Sequence, residues 1–355
     1  MLRLEARPHP SRAALLLAPL LAVLLTLLAG ALLFALLGFA PLSALNAFFI
    51  KPVNSLYGLG ELAMKATPLL LCAIGLAVGF RANIWNIGAE GQLLMGAIAG
   101  SGVALFLRPA DGAPWVLPAM FLAGALGGMA WAAVPAFLKL RFNASEILTS
   151  LMLTYVARLF LRWLVGGPWR DPDGYNFPQS PLFAPDAVIP PLLHGTRLGF
   201  GALLALAVAL GGWFLLSRTF LGFQIRVIGL TSAAAGYAGF DRGRVTWLSL
   251  LLSGGLAGIA GLNEVAGPIG QLTPFVSPGY GFTAIIVAFL GRLHPIGILF
   301  ASLLVALSYL GGESAQISLG LPLAATDVFQ GMLLFFLLAS EVLVRYRPRL
   351  ARARG

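Results

Sequence analysis

Cysteine is almost absent. Cys72 is the one thiol in 355 residues, which rules out a disulfide within the chain, and its apolar neighbours mark it as a small buried hydrophobe. Lysine is nearly as scarce, at Lys51, Lys65 and Lys139, and none follows a Gly-x-x-x-x-Gly-Lys-Ser/Thr phosphate loop. Nucleotide hydrolysis, where it occurs, must therefore come from another chain. The histidines His9, His194 and His294 are scattered, with no Cys, Asp or Glu cluster at metal-ligand spacing, so no metal site is expected. No local group of nucleophile, base and orienting residue supports an enzyme. Short alternating strands of the outer-membrane barrel kind are missing as well.

Charge is the last scarcity. Only 10% of residues are charged, against 59% hydrophobic, and the mean hydropathy of +0.90 is far above what a water-soluble surface tolerates. The chain is an integral membrane protein. Its apolar runs approach 20 residues, the length needed to cross a hydrocarbon core about 30 Å thick with every backbone group bonded internally. They place spans at 13–39, 61–80, 88–107, 115–138, 147–165, 198–216, 246–265, 280–291, 294–311 and 326–344. The segment 280–291 is short for a crossing at 1.5 Å per residue, so it is either a half-helix or one member of a tilted pair.

The net charge of +10 is explained by where the bases sit. Arg3, Arg7 and Arg12, then Arg81, Lys139 and Arg141, then Arg218 to Arg244, Arg292, and Arg345 to Arg354 all fall on one side. The opposite loops carry Asp111, Asp171, Asp173, Asp186, Glu313 and Asp327. That asymmetry orients a membrane protein and makes no case for nucleic acid. The expected fold is all-α and polytopic, about ten spans in two five-span halves with both termini cytoplasmic. Residues 1–12 form a cytoplasmic tail, 13–165 the first half, 166–197 a proline-rich external loop, 198–344 the second half and 345–355 a basic tail. Within the second half, 217–245 is cytoplasmic. The run from Ala13 is too long for a signal-peptide core and reads as an uncleaved first span.

Two polar islands interrupt the apolar pattern. Phe80 to Gln92 holds Asn83, Asn86, Glu90 and Gln92, and a carboxylate among hydrocarbon must face protein or water. It either bonds to a neighbouring helix, with Arg81 as one partner, or lines a solute path. The second island, Leu221 to Arg244, is basic and rich in small residues, and suits either docking of another protein or an interfacial helix with Arg226, Arg242 and Arg244 on headgroups. Together they point to a permease that passes a solute and is driven from one side.

Other positions carry two readings each. Asn143, Ser145 and Glu146 open the fifth span as a helix cap and dipole partner. Arg158 and Arg162 share a helix face near its outer end, where snorkelling to headgroups competes with guiding a solute. Asn263 and Glu264 close the seventh span. Beyond them Gln271, Phe275 and Tyr280 lie among glycines and prolines, either as a turn or as amide and aromatic contacts for a base and ribose.

Several blocks carry a resemblance. Residues 86–92 read NIGAEGQ, 145–157 SEILTSLMLTYVA, 222–240 GFQIRVIGLTSAAAGYAGF, 252–261 LSGGLAGIAG and 279–297 GYGFTAIIVAFLGRLHPIG. Together they resemble the inner-membrane permeases of ATP-binding-cassette importers in the branched-chain amino acid and ribose permease superfamily, more narrowly its nucleoside branch, from about Gly60 to Leu343. The resemblance implies a second, shorter permease, partner ATPase subunits that bind and hydrolyse ATP, and an external lipoprotein that delivers purine-type nucleosides. No cofactor is implied in this chain. It also implies that Arg226 to Phe240 is the ATPase coupling region, with Arg226, Gly229, Ala233, Ala234, Gly236, Tyr237 and Gly239 as its contact set. Two positions depart from the family: Gly229-Leu230-Thr231-Ser232 replaces a Gly-x-Asn pattern, and Thr154 stands where Asn is common. Related sugar or branched-chain amino acid import, and an independent ion-coupled carrier, are the alternative functions.

Overall fold

The structure is a computed structural model that describes residues 2–6, 12–107, 113–322, 324, 327–329, 331–332, 335–336, 339–340 and 346–350. Its helices are α1 (Arg12–Leu36), α2 (Pro41–Phe49), α3 (Leu56–Arg81), α4 (Ala89–Phe106), α5 (Val116–Phe142), α6 (Glu146–Gly166), α7 (Gly201–Arg218), α8 (Phe220–Leu230), α9 (Ser232–Tyr237), α10 (Arg242–Glu264), α11 (Tyr280–Leu290) and α12 (Pro295–Leu319). Among the described residues, α3 to α7, α10 with its π-helical extension Val265–Ile269, and α12 are the seven helices long and apolar enough to cross a membrane. The described stretch Leu20–Leu36 of α1, together with α8 and α11, is apolar too. Of the expected last span at 326–344, the described positions are helical and the rest lies outside the described residues, as do Arg7, Asp111, Arg345, Arg352 and Arg354.

Local chemistry sets the helix ends. Asn143 takes the left-handed conformation (φ 52°) that closes α5, and the Ser145 side chain accepts from the Leu148 N–H to open α6, as the cap reading expects. Glu146, in the first turn of α6, pairs with Lys139 at 2.7 Å. Thr219 caps α8 and Asp241 caps α10 in the same way. The helix α2, introduced by Pro41, occupies a link that the sequence reading left without structure.

Residues 60–303 form one compact unit, and residues 1–59 with 304–355 a second. The first is built on α4, α5 and α10, whose backbones meet through glycine. A Cβ at Gly96 would lie 2.1 Å from the Gly258 Cα, and one at Gly258 the same distance from the Gly124 carbonyl oxygen. Lipid tails are as apolar as leucine, so close backbone packing of small residues is what holds such helices together. The glycines of the 252–261 block are thus the inner face of α10.

A long loop from 167 to 200 belongs to the same unit and is ordered by backbone pairing. The amides of Ser180, Phe183 and Ile189 donate to the carbonyls of Leu272, Gly270 and Ala266 at 2.9, 3.0 and 2.7 Å. Its far end is tied to α3 by the Arg197 guanidinium, which grips both oxygens of the buried Glu61.

The second unit has an aromatic core, with the Phe48 ring 6.0 Å from Phe34 and 5.1 Å from Phe329. Where the sequence reading has two free tails, Leu2–Ala6 pairs antiparallel with Tyr346–Leu350, Leu4 opposite Pro348. This two-stranded ribbon brings residues 2–6 and 346–350 together.

Candidate functional site

Two irregular links between helices of the larger unit, before α4 and before α11, meet. After Arg81 the chain leaves the helix, with Asn83 at φ 57°, and runs irregularly to Gly88 before α4 begins. The break is deep in the unit. Asn86 bonds Ser253, which lies roughly 16 Å along α10 from Arg242 at 1.5 Å per residue. In the second half, α10 passes into the π turn Val265–Ile269, Gly270 ends it at φ 73°, and the chain stays irregular to Gly279 (φ 105°) before α11.

With 11 residues α11 is roughly 16 Å long, half a hydrocarbon core, whereas α12 has 25 residues of its own. Segment 280–291 is therefore a half-helix and not part of a tilted pair. A half-helix whose N-terminus meets the start of another helix inside a membrane protein is a usual framework of a solute pathway.

Glu90 joins the two breaks. It is 1% exposed, and its Oε2 accepts from the Gly281 N–H at 2.8 Å and from the Ser277 hydroxyl at 3.1 Å. Ser277 in turn accepts from the amides of Gly279 and Tyr280, so a carboxylate from the first half completes the N-terminal cap of the half-helix in the second. The backbones touch here: a Cβ on Gly281 would fall 2.2 Å from the Glu90 nitrogen. Oε1 faces the Arg158 guanidinium of α6 at 3.6 Å. Arg158 thus sits beside the breaks and not at the outer end of its helix.

The expected partner of Glu90 is corrected too, because Arg81 donates from Nε to the Leu293 carbonyl at 2.9 Å. That bond steadies the left-handed pair Arg292 and Leu293 between α11 and α12. Trp85 packs at a tilt against Phe80 and stacks on Phe289 of α11, at 5.0 and 5.8 Å between centroids.

The amides of the first island are committed internally. Asn86 Nδ2 donates to Gln92 Oε1 at 2.8 Å and to Ser253 Oγ at 2.9 Å, and its Oδ1 accepts from Gln92 Nε2 and from the Gly88 N–H. Both residues are buried. Gly88 and Gly91 let α6 approach through Ser150 and Thr154, and the Thr154 hydroxyl bonds back to the Ser150 carbonyl. Asn83 is exposed and accepts from the Trp85 indole. In the irregular stretch before α11 and at its start, Gln271 bonds Gln179 of the long loop at 3.3 Å, Phe275 is 81% exposed, and Tyr280 is buried.

The 222–240 segment folds as α8 and α9. Gly222, Ile225 and Ile228 turn inward, and Gly229 is packed on the Arg81 carbonyl with no room for a side chain, so it serves the junction with α3. Arg226, Ala233, Ala234, Gly236, Tyr237 and Gly239 are on the surface or at its edge, Tyr237 being 96% exposed.

Residues 58–338 match the family model described as the permease component of branched-chain amino acid transport systems. The chain belongs to this permease family. The permease is 37% identical to a glucose ABC transporter permease of Haloferax volcanii, over 94% of this chain and 90% of that one. A guanosine ABC transporter permease of Bacillus subtilis is 30% identical over 93% and 95%, and a nucleoside ABC transporter permease of Lactococcus lactis 28% over 94% and 93%. The permease is therefore a multi-pass inner-membrane subunit of an ABC transporter and not an enzyme. Family membership also implies an ATPase partner and a solute-binding protein.

Sequence reasoning missed three features. The Arg158–Glu90 contact and the Glu61–Arg197 clamp join residues that give no local signal, whereas α2 carried one in the Pro41 at its first turn. An acid within an apolar run does announce that a partner exists, though it does not say which.

Proposed function

We propose that this permease imports a nucleoside by alternating access around the junction of α4 with the half-helix α11. ATP is bound and hydrolysed by the partner ATPase, and this chain needs no cofactor of its own. The junction of α4 and α11 at Glu90 is the observation that carries the proposal. A half-helix capped from the other half of the molecule can change the solute's access by a small movement of one element against the other. Exposed Phe275 and neighbouring Gln271, on the irregular approach to α11, are suited to stack a base and bond a ribose. In this reading loop 167–200 is external and receives the solute-binding lipoprotein. Segment 217–245 and both termini are cytoplasmic, and α9 with the exposed face of α8 docks the ATPase. A second, homologous permease completes the transmembrane part, as the paired guanosine permeases of Bacillus subtilis favour.

The glucose permease among the relatives favours a second reading, in which a hexose is the solute. Ribose and glucose both present vicinal hydroxyls, so one polar wall serves either. The test is ATP-dependent uptake of labelled guanosine and of labelled glucose into proteoliposomes holding both permeases, the ATPase and the cognate receptor. Guanosine uptake is expected. Uptake of glucose alone would overturn the nucleoside assignment and leave the permease assignment standing.

A further inference from the structure

Arg158 lies roughly 18 Å along α6 from Glu146 and roughly 12 Å from Gly166, at 1.5 Å per residue. A charge at that depth is expensive against acyl chains. Its side chain is nonetheless 39% exposed, while its partner Glu90 is almost wholly enclosed. Glu90 uses Oε2 on α11 and turns only Oε1 to the guanidinium, which has five N–H donors. Tyr155 and Arg162, three before and four after, share that face of α6 and are exposed too. A phenol and a guanidinium in mid-span, with a second guanidinium about 6 Å from the helix end, make a polar stripe that needs water or polar contacts across from it.

We propose that Arg158 contacts the transported solute directly and that Glu90 is its positioning residue. The pair carries no net charge yet turns donors outward, so it fits a neutral molecule rich in hydroxyl and carbonyl oxygens, the class that includes nucleosides and sugars. This inference rests on the permease reading above.

The test uses the complete transporter in proteoliposomes with Cys72→Ala as background. Arg158→Cys should react with a small water-soluble methanethiosulfonate, and saturating receptor loaded with whichever of guanosine or glucose the wild type transports should slow the reaction several-fold. Leu122→Cys, exposed on α5, should stay unlabelled as a lipid-facing control. Arg158→Gln should lower turnover at least about tenfold, the loss of one charge-assisted hydrogen bond, while the ATPase still co-purifies. Arg158→Lys should recover part of it. If Arg158→Cys does not assemble, Tyr155→Cys on the same face carries the labelling arm. An assembled transporter whose cysteine is unreactive, or reactive but indifferent to solute, would overturn the proposal, as would normal turnover in Arg158→Gln. Failure of the wild type to take up either solute would instead count against the solute assignment, because labelling in the resting transporter is read without any uptake.

Discussion

Gly281→Ala is the sharpest test of the junction between the two halves. The new methyl carbon would start 2.2 Å from the Glu90 nitrogen and 2.4 Å from its Cα, both backbone atoms that cannot swing aside. Ordinary contact begins near 3.4 Å, so α11 has to retreat by more than 1 Å. That retreat stretches the 2.8 Å bond from the Gly281 amide to the buried carboxylate toward 4 Å, which is no longer a hydrogen bond. Loss of a bond to a charged group is worth about 1.5–3 kcal/mol, and overpacking costs about 1–3 kcal/mol, two routes to the same relief that do not add fully. A net loss of about 2–4 kcal/mol is expected. At roughly 2 °C per kcal/mol for a chain of this size, the apparent melting temperature in detergent should fall by about 4–8 °C at a fixed scan rate. Gly236→Ala is the matched control, since a Cβ there meets nothing within 4 Å. If Gly281→Ala melts within about 1 °C of the wild type and of that control, α11 is not packed against α4 as described and the junction argument fails.

Gly236→Trp should leave insertion and the isolated permease unchanged but abolish co-purification of the ATPase and solute-stimulated hydrolysis, because Gly236 is surrounded by open surface. Normal coupling in that variant would remove α9 from the docking surface. Cysteines at Tyr175 and Tyr237, 93% and 96% exposed, should label from opposite faces of the membrane in a Cys72→Ala background, and equal labelling by an impermeant reagent in intact cells would refute the proposed sidedness. Arg197→Ala removes the clamp on Glu61, so limited proteolysis should nick loop 167–200 faster than in the wild type, with an unchanged cleavage rate as the contrary result.

What the sequence determined by itself is what depends on short range and on solvent. Apolar run length against bilayer thickness set the helices, the short 280–291 segment stood out because about a dozen residues cannot span, and Ser145 was legible as a cap because capping needs only the next turn of chain. The blocks at 86–92 and 222–240 were enough to point to the family. What only the tertiary structure decided is where each buried polar group finds its partner. Glu90 had to be satisfied by something, and the sequence offered only Arg81 nine residues earlier; the fold instead placed Arg81 on the Leu293 carbonyl and Arg158, from another helix, on the carboxylate. Asn86 and Gln92 looked like a solute wall from their type alone, yet a turn of the chain lets them bond each other and Ser253. Gly229 and Gly236 are indistinguishable in the sequence, while one is pressed on a carbonyl and the other stands in the open. Pairings of this kind join residues far apart in the chain, and their energy depends on distances that no local pattern encodes.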